Sequence, residues 1–155
     1  MCKLFLIEGE RAWSYHTNDQ FEIKQNLTCS SINVIYIIHD EICKISYIGT
    51  TTTTLKERWA NHKSHIKRNH KTCEIDTHCI ENPCHKLDTS NLKTYDDQLK
   101  CQLKIMAIEE VTIPPTAKTT DEKLIILEAR EEFWQARLKC KNIFGGLNKR
   151  SSHRK

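Results

Sequence analysis

At 155 residues, with a formal net charge of +4 and 28% charged side chains, the chain has room for one core and one active site, and its charge is too modest to define a function by itself. No apolar run approaches the roughly 20 residues needed to cross a bilayer, and the opening MCKLFLIEGERAW has neither a basic leader, a long apolar segment nor a small-residue cleavage site; the expectation is an intracellular protein of nucleus or cytoplasm with no membrane partner. In that setting its eight cysteines read as thiols or metal ligands, not as a disulfide frame.

Residues 1–30 are polar with isolated aromatics (Trp13, Tyr15, Phe21) and form an extension, an arm or an extra edge, to which no function can be assigned. The run VIYIIH is continuously apolar and β-branched, as in a strand buried on both faces, and ISYIG reads as its hairpin partner across DEICK, with Gly49 ending the pair. A threonine run then offers N-caps, Thr54 among them, for a helix over Leu55 to Arg68. Residues 69–98 are rich in Cys, His, Asn, Asp and Pro and read as an irregular insertion that needs something to hold it. CQLKIMAIEEVTI is expected to be a third strand. After the break at PPTAKTT the longest helical pattern runs from Asp121 to Cys140, stopped before the glycines of IFGGLN. Lys63, Lys67, Arg68 and Lys71, and the terminal Lys149, Arg150, Arg154 and Lys155, form two basic clusters that suit either a phosphate backbone or plain solvated surface.

Read by face, the first helix places Leu55, Trp59, His62 and Ile66 on one stripe, with Arg58 one turn before His62, so that guanidinium and imidazole point the same way. Taken alone this describes a core helix with a satisfied histidine and a surface arginine. In the last helix Leu124, Leu127, Glu131, Trp134 and Leu138 share a stripe, while Glu128 and Glu132 fall off it. A carboxylate on an apolar line must be paired, protonated or bound to a cation, because leaving it charged there costs several kcal/mol. A salt bridge and a metal site are both open for Glu131.

Taken in order, VIY, YIG, LKERWANH, REEFW and the terminal GGLN resemble the GIY-YIG endonuclease superfamily over roughly residues 33–150, and RWANHKSHIK with REEFW and GGLN is most similar to the endonuclease modules of animal retroelements of the Penelope-like kind. The resemblance implies an α+β fold, a small three-stranded antiparallel sheet flanked by helices, occupying residues 31–150 with 69–98 as an insertion and 151–155 as a basic tail. It implies a metal-dependent DNA endonuclease, with Tyr36 and Tyr47 as the motif tyrosines, Arg58 and His62 as the catalytic arginine and the basic position one turn on, Glu131 as the ligand of Mg²⁺ or Mn²⁺, and Asn148 as the late asparagine. Val34 stands where the first motif glycine would be, a strand-start position where a β-branched residue is acceptable.

That chemistry suits these residue types. Phosphodiester hydrolysis needs an activated water, neutralisation of charge building on the phosphoryl oxygens and a stabilised leaving oxygen. A tyrosine can take or relay the water's proton if nearby cations lower its pKa, ordinarily near 10. Arginine bridges phosphate oxygens bidentately, and a single carboxylate suits a divalent ion that keeps most of its waters. Penelope-like endonucleases also carry cysteines between the tyrosine motifs and histidines after the first helix. Cys43 stands four residues before Tyr47 as the second such cysteine does, and CEIDTHCIENPCH supplies Cys73, His78, Cys79, Cys84 and His85. The first cysteine has no match; His39 or an extra cysteine could replace it, giving a structural Zn²⁺ site with Cys43, His78 and His85, and the alternative is ordinary buried thiols and loop histidines. The competing function is a catalytically inactive module of the same descent that binds nucleic acid, zinc-stabilised or not.

Overall fold

The computed structural model describes residues 11–149. They begin with an antiparallel hairpin of β1 (Arg11–Ser14) and β2 (Thr17–Glu22), which forms its own two-stranded sheet. The described part of the extension therefore contains a hairpin, and residues 1–10 lie outside the described residues. Ala12 is fully buried, and Trp13 and Phe21 pack with it against Ile35, Ile37, Met106 and Trp134. The Trp13 indole stacks on the buried His39 ring with centroids 3.7 Å apart.

The central strand is β3 (Val34–Asp40), every residue of which is buried, as its unbroken apolar run requires. β4 (Ile45–Thr51) and the later β5 (Leu103–Glu110) flank it antiparallel in the order β4-β3-β5, the small antiparallel sheet expected of the α+β fold. One face of β3 contributes Val34, Tyr36 and Ile38 to a core shared with Leu55, Trp59, Tyr95 and Leu99; the other contributes Ile35 and Ile37 to the core under the hairpin and the last helix. Gly49 does not end the hairpin. It lies inside β4, directly opposite Tyr36.

The helix α1 (Leu55–Lys67) starts as its caps dictate: the Thr54 hydroxyl accepts from the Glu57 amide and the Glu57 carboxylate accepts from the Thr54 amide, both at 3.1 Å. Its buried residues are Leu55, Trp59, His62 and Ile66, the stripe read from spacing. Residues 69–98, by contrast, are not irregular. They contain α2 (Glu74–Glu81) and most of α3 (Leu92–Gln102), short helices whose Cys- and polar-rich turns hide the helical period.

The last helix, α4 (Thr120–Arg137), begins with a second capping box, Thr119 with Glu122, and packs chiefly against β4. It ends earlier than expected, because Leu138 caps it and Lys139 takes a left-handed conformation (φ 53°) ahead of the glycines. Cys29 departs from the thiol expectation by being disulfide-bonded, whereas Cys43, Cys73, Cys79, Cys84, Cys101 and Cys140 are free. The terminal basic cluster beyond Lys149 lies outside the described residues.

Candidate active site

The strand pairing of Tyr36 with Gly49 leaves a space where a side chain would stand, and the Tyr36 phenol fills it: a Cβ at Gly49 would overlap the Tyr36 hydroxyl and ring. That placement carries the hydroxyl to α1. Arg58 Nε donates to Tyr36 Oη at 3.0 Å, and Tyr36 Oη lies 2.7 Å from His62 Nε2. Behind His62, its Nδ1 is 2.7 Å from Asp76 Oδ1 on α2, and the other carboxylate oxygen accepts from the Thr72 hydroxyl at 2.7 Å and faces His65 Nδ1 at 3.1 Å. Tyr36, His62 and Asp76 are essentially without solvent exposure.

The electrostatics follow from that burial. Burial drives the Tyr36 pKa upward, and Arg58, which acts to lower it, does not prevail. Burial likewise depresses His62, with Asp76 acting against it; His62 is neutral near pH 7. Although burial alone would raise the Asp76 carboxyl, hydrogen bonds from His62 and Thr72 hold it below the usual range. Burial works against the Arg58 charge, but Tyr36 more than offsets it, and the guanidinium stays charged.

Tyr47 is on β4, on the same sheet face, and is 5% exposed. Burial first, then Tyr36, Cys73 and Glu131, push its pKa well above normal, which locates the two phenols and the α4 carboxylate in one neighbourhood. Glu131 accepts from Gln135 Nε2 at 2.9 Å. Its pKa is pushed up to about 7 by burial and by the negative charges of Glu74 and Glu128, with Arg58 opposing. The stripe residue thus has no salt bridge among the described residues, and Arg58 offsets only part of the effect of burial and of the Glu74 and Glu128 charges. The Asn148 side-chain amide donates to Ile48 O at 2.7 Å and accepts from Ile48 N at 2.8 Å, clamping the outer edge of the strand that bears Tyr47.

A second constellation lies at the far end of β3. Asp40 Oδ1 accepts the backbone amides of Ile42 and Cys43, both at 2.9 Å, closing the β3–β4 turn. This turns Asp40 Oδ2 toward His78 Nε2 (2.8 Å) and His85 Nε2 (2.7 Å). Ligand atoms of Asp40, Cys43, His78 and His85 all lie within 4.8 Å of one another. Asp40 is the fourth member of this group and His39 is not among them: its ring stacks on Trp13 and bonds Ser46 Oγ at 3.0 Å. His85 Nδ1 also contacts Gln102 Oε1 at 2.6 Å, so without a metal both ring nitrogens face acceptors, and its pKa is raised in spite of burial.

Sequence reasoning missed both aspartates. Asp40 was legible as an acid three residues before Cys43 at a turn, and Asp76 as an acid between Cys73 and Cys79, had the insertion been read as helical. A family model described as the GIY-YIG catalytic domain matches residues 32–139. No curated protein and no solved structure matches the chain.

Proposed function

The chain belongs to the GIY-YIG catalytic domain family, a family of nucleases, and from that premise we propose that it is a metal-dependent DNA endonuclease. The observation that supports this most is that a tethered arginine, a buried tyrosine and a carboxylate without a salt bridge among the described residues, Arg58, Tyr47 and Glu131, lie close enough to influence one another's charge. Tyr36 and His62 are buried behind Arg58 and serve to hold it. With Nε on Tyr36, the two terminal NH₂ groups of Arg58 are left for phosphate oxygens, where they offset the charge that builds as the water oxygen bonds phosphorus and the bond to the leaving oxygen breaks. Tyr47, whose hydroxyl none of the described side chains hydrogen-bonds, orients the attacking water.

Glu131 suits a divalent cation because its charge is desolvated and repelled by Glu74 and Glu128. Bound there, Mg²⁺ or Mn²⁺ would supply Lewis-acid stabilisation of phosphoryl and leaving oxygens. Asp40, Cys43, His78 and His85 suit Zn²⁺ in donor type and number, with one carboxylate oxygen already fixed by the turn amides. This set also supports kinship with the retroelement endonucleases. The basic residues Lys63, Lys67, Arg68 and Lys71 provide phosphate contacts.

The test is incubation of supercoiled plasmid with the protein in Mg²⁺, in Mn²⁺ and in EDTA. Nicked or linear product in either metal but not in EDTA is expected; binding of DNA without cleavage in both metals returns the inactive-module reading.

A further inference from the structure

Arginine has donors and no acceptors, and that fact polarises everything behind it. Arg58 Nε–H is directed at Tyr36 Oη (3.0 Å), so the tyrosine must send its own proton elsewhere, and the acceptor within reach is His62 Nε2 at 2.7 Å. Nε2 can accept only if the imidazole carries its proton on Nδ1. That nitrogen faces Asp76 Oδ1 at 2.7 Å. Every link then runs one way, Arg58 to Tyr36 to His62 to Asp76, and ends on an anion. The opposite tautomer would aim the bare Nδ1 lone pair at the Asp76 carboxylate and leave the phenol's own proton without an acceptor between two donors, Arg58 Nε–H and His62 Nε2–H.

We propose that Asp76 is a positioning residue: by selecting the Nδ1–H tautomer of His62 it fixes the Tyr36 hydroxyl as an acceptor and thereby the orientation of the Arg58 guanidinium. The proposal rests on the DNA-cleaving reading for its functional consequence. Asp76, His62 and Tyr36 are 0%, 1% and 0% exposed, so none of them meets substrate directly and their effect passes through Arg58. Asp76 is itself fixed by Thr72 Oγ1 and His65 at its second oxygen, a second layer of support that leaves it one orientation. A carboxylate that sets an imidazole tautomer is a recurrent device in enzymes; here it serves a phosphate-binding arginine.

Two measurements test it. Long-range ¹H–¹⁵N NMR of the wild-type protein near pH 7 should show His62 protonated on Nδ1 alone; a proton on Nε2 overturns the proposal whether or not the protein cuts DNA. In cleavage assays Asp76→Asn should lower kcat on the order of 10²-fold, the scale of a misplaced reactive group, with KM for DNA little changed. In an Arg58→Lys background the same substitution should cost no more than about threefold, because coupled residues are non-additive. A full, additive cost in that background would make Asp76 merely structural and sink the idea. If Asp76→Asn does not fold, Tyr36→Phe, which keeps the ring over Gly49 and removes only the hydroxyl, takes its place in the same cycle, with the same reading. A wild-type protein that cuts no DNA in either metal would refute the nuclease reading, and the tautomer would still decide whether Asp76 sets the line.

Discussion

Gly49 and Tyr36 stand across the β3–β4 pair from one another, and the phenol occupies the volume that any side chain at residue 49 would need. Gly49→Ala should therefore do more than overpack a strand. Overpacking costs about 1–3 kcal/mol, and relieving it moves the hydroxyl that holds Arg58, so cleavage should fall by on the order of 10²-fold even below the melting transition. Thermal melts and nicking rates on the same samples check this; full activity in a destabilised variant would confine Gly49 to packing. Glu131 invites the converse result. Burial and the charges of Glu74 and Glu128 disfavour its ionised form, so Glu131→Gln should abolish nicking while leaving the melting temperature, measured in EDTA, unchanged or higher. A fall of several degrees there, or wild-type nicking, would contradict its placement as a cation ligand. These residues were unequally legible. Arg58 and Glu131 could be picked out because a helical face shows a charge beside or within an apolar stripe, whereas Asp40 and Asp76 offered only their nearness to cysteines, since histidines that they meet lie 45 and 14 residues away.

At the scale of elements, α1 and α4 were readable because each opens with a capping box that local chemistry explains. The helix α2 was not: its N-cap, Cys73, makes no side-chain cap bond, and tertiary contacts hold it instead. Those contacts are made from different faces of its middle turn. Asp76 reaches His62 in the arginine-holding line, and two residues on, His78 reaches Asp40 in the zinc-suited cluster. Anything that frees one face disturbs the other. Removing Zn²⁺ with a strong chelator and restoring Mg²⁺ in excess should therefore lower both melting temperature and cleavage, since structural zinc can supply roughly 10 kcal/mol of folding free energy. Elemental analysis should find about one Zn²⁺ per chain before treatment, less in Cys43, His78 and His85 variants and no less in Cys140. Unchanged activity after verified zinc loss would show that α2 does not transmit between the two groups.

For the whole molecule, the hairpin within the stretch that sequence reading left without a role contributes to the core. The family match begins at residue 32, yet the apolar layer between sheet and α4 begins at Ala12 and includes Trp13 and Phe21. The Phe21 ring meets Trp134 edge-on at 6.0 Å, and the guanidinium of Arg137 lies 4.3 Å from the Phe21 centroid. The sequence concealed this because a short hairpin on a separate sheet has alternation too brief to register, and its partners are scattered from Ile35 and His39 to Trp134 at the other end of the chain. Aromatic side chains bury about 150–250 Å² each, worth roughly 25 cal/mol per Å², so uncovering this layer should cost several kcal/mol out of a typical stability of about 5–15 kcal/mol. A chain beginning at residue 24 should then be insoluble or molten, while one beginning at residue 11 folds and nicks plasmid. Both lack residues 1–10, so the difference reports the hairpin alone. Equal melting temperatures for the two truncations would make the hairpin an accessory after all, and would return the folding unit to the span that the family match covers.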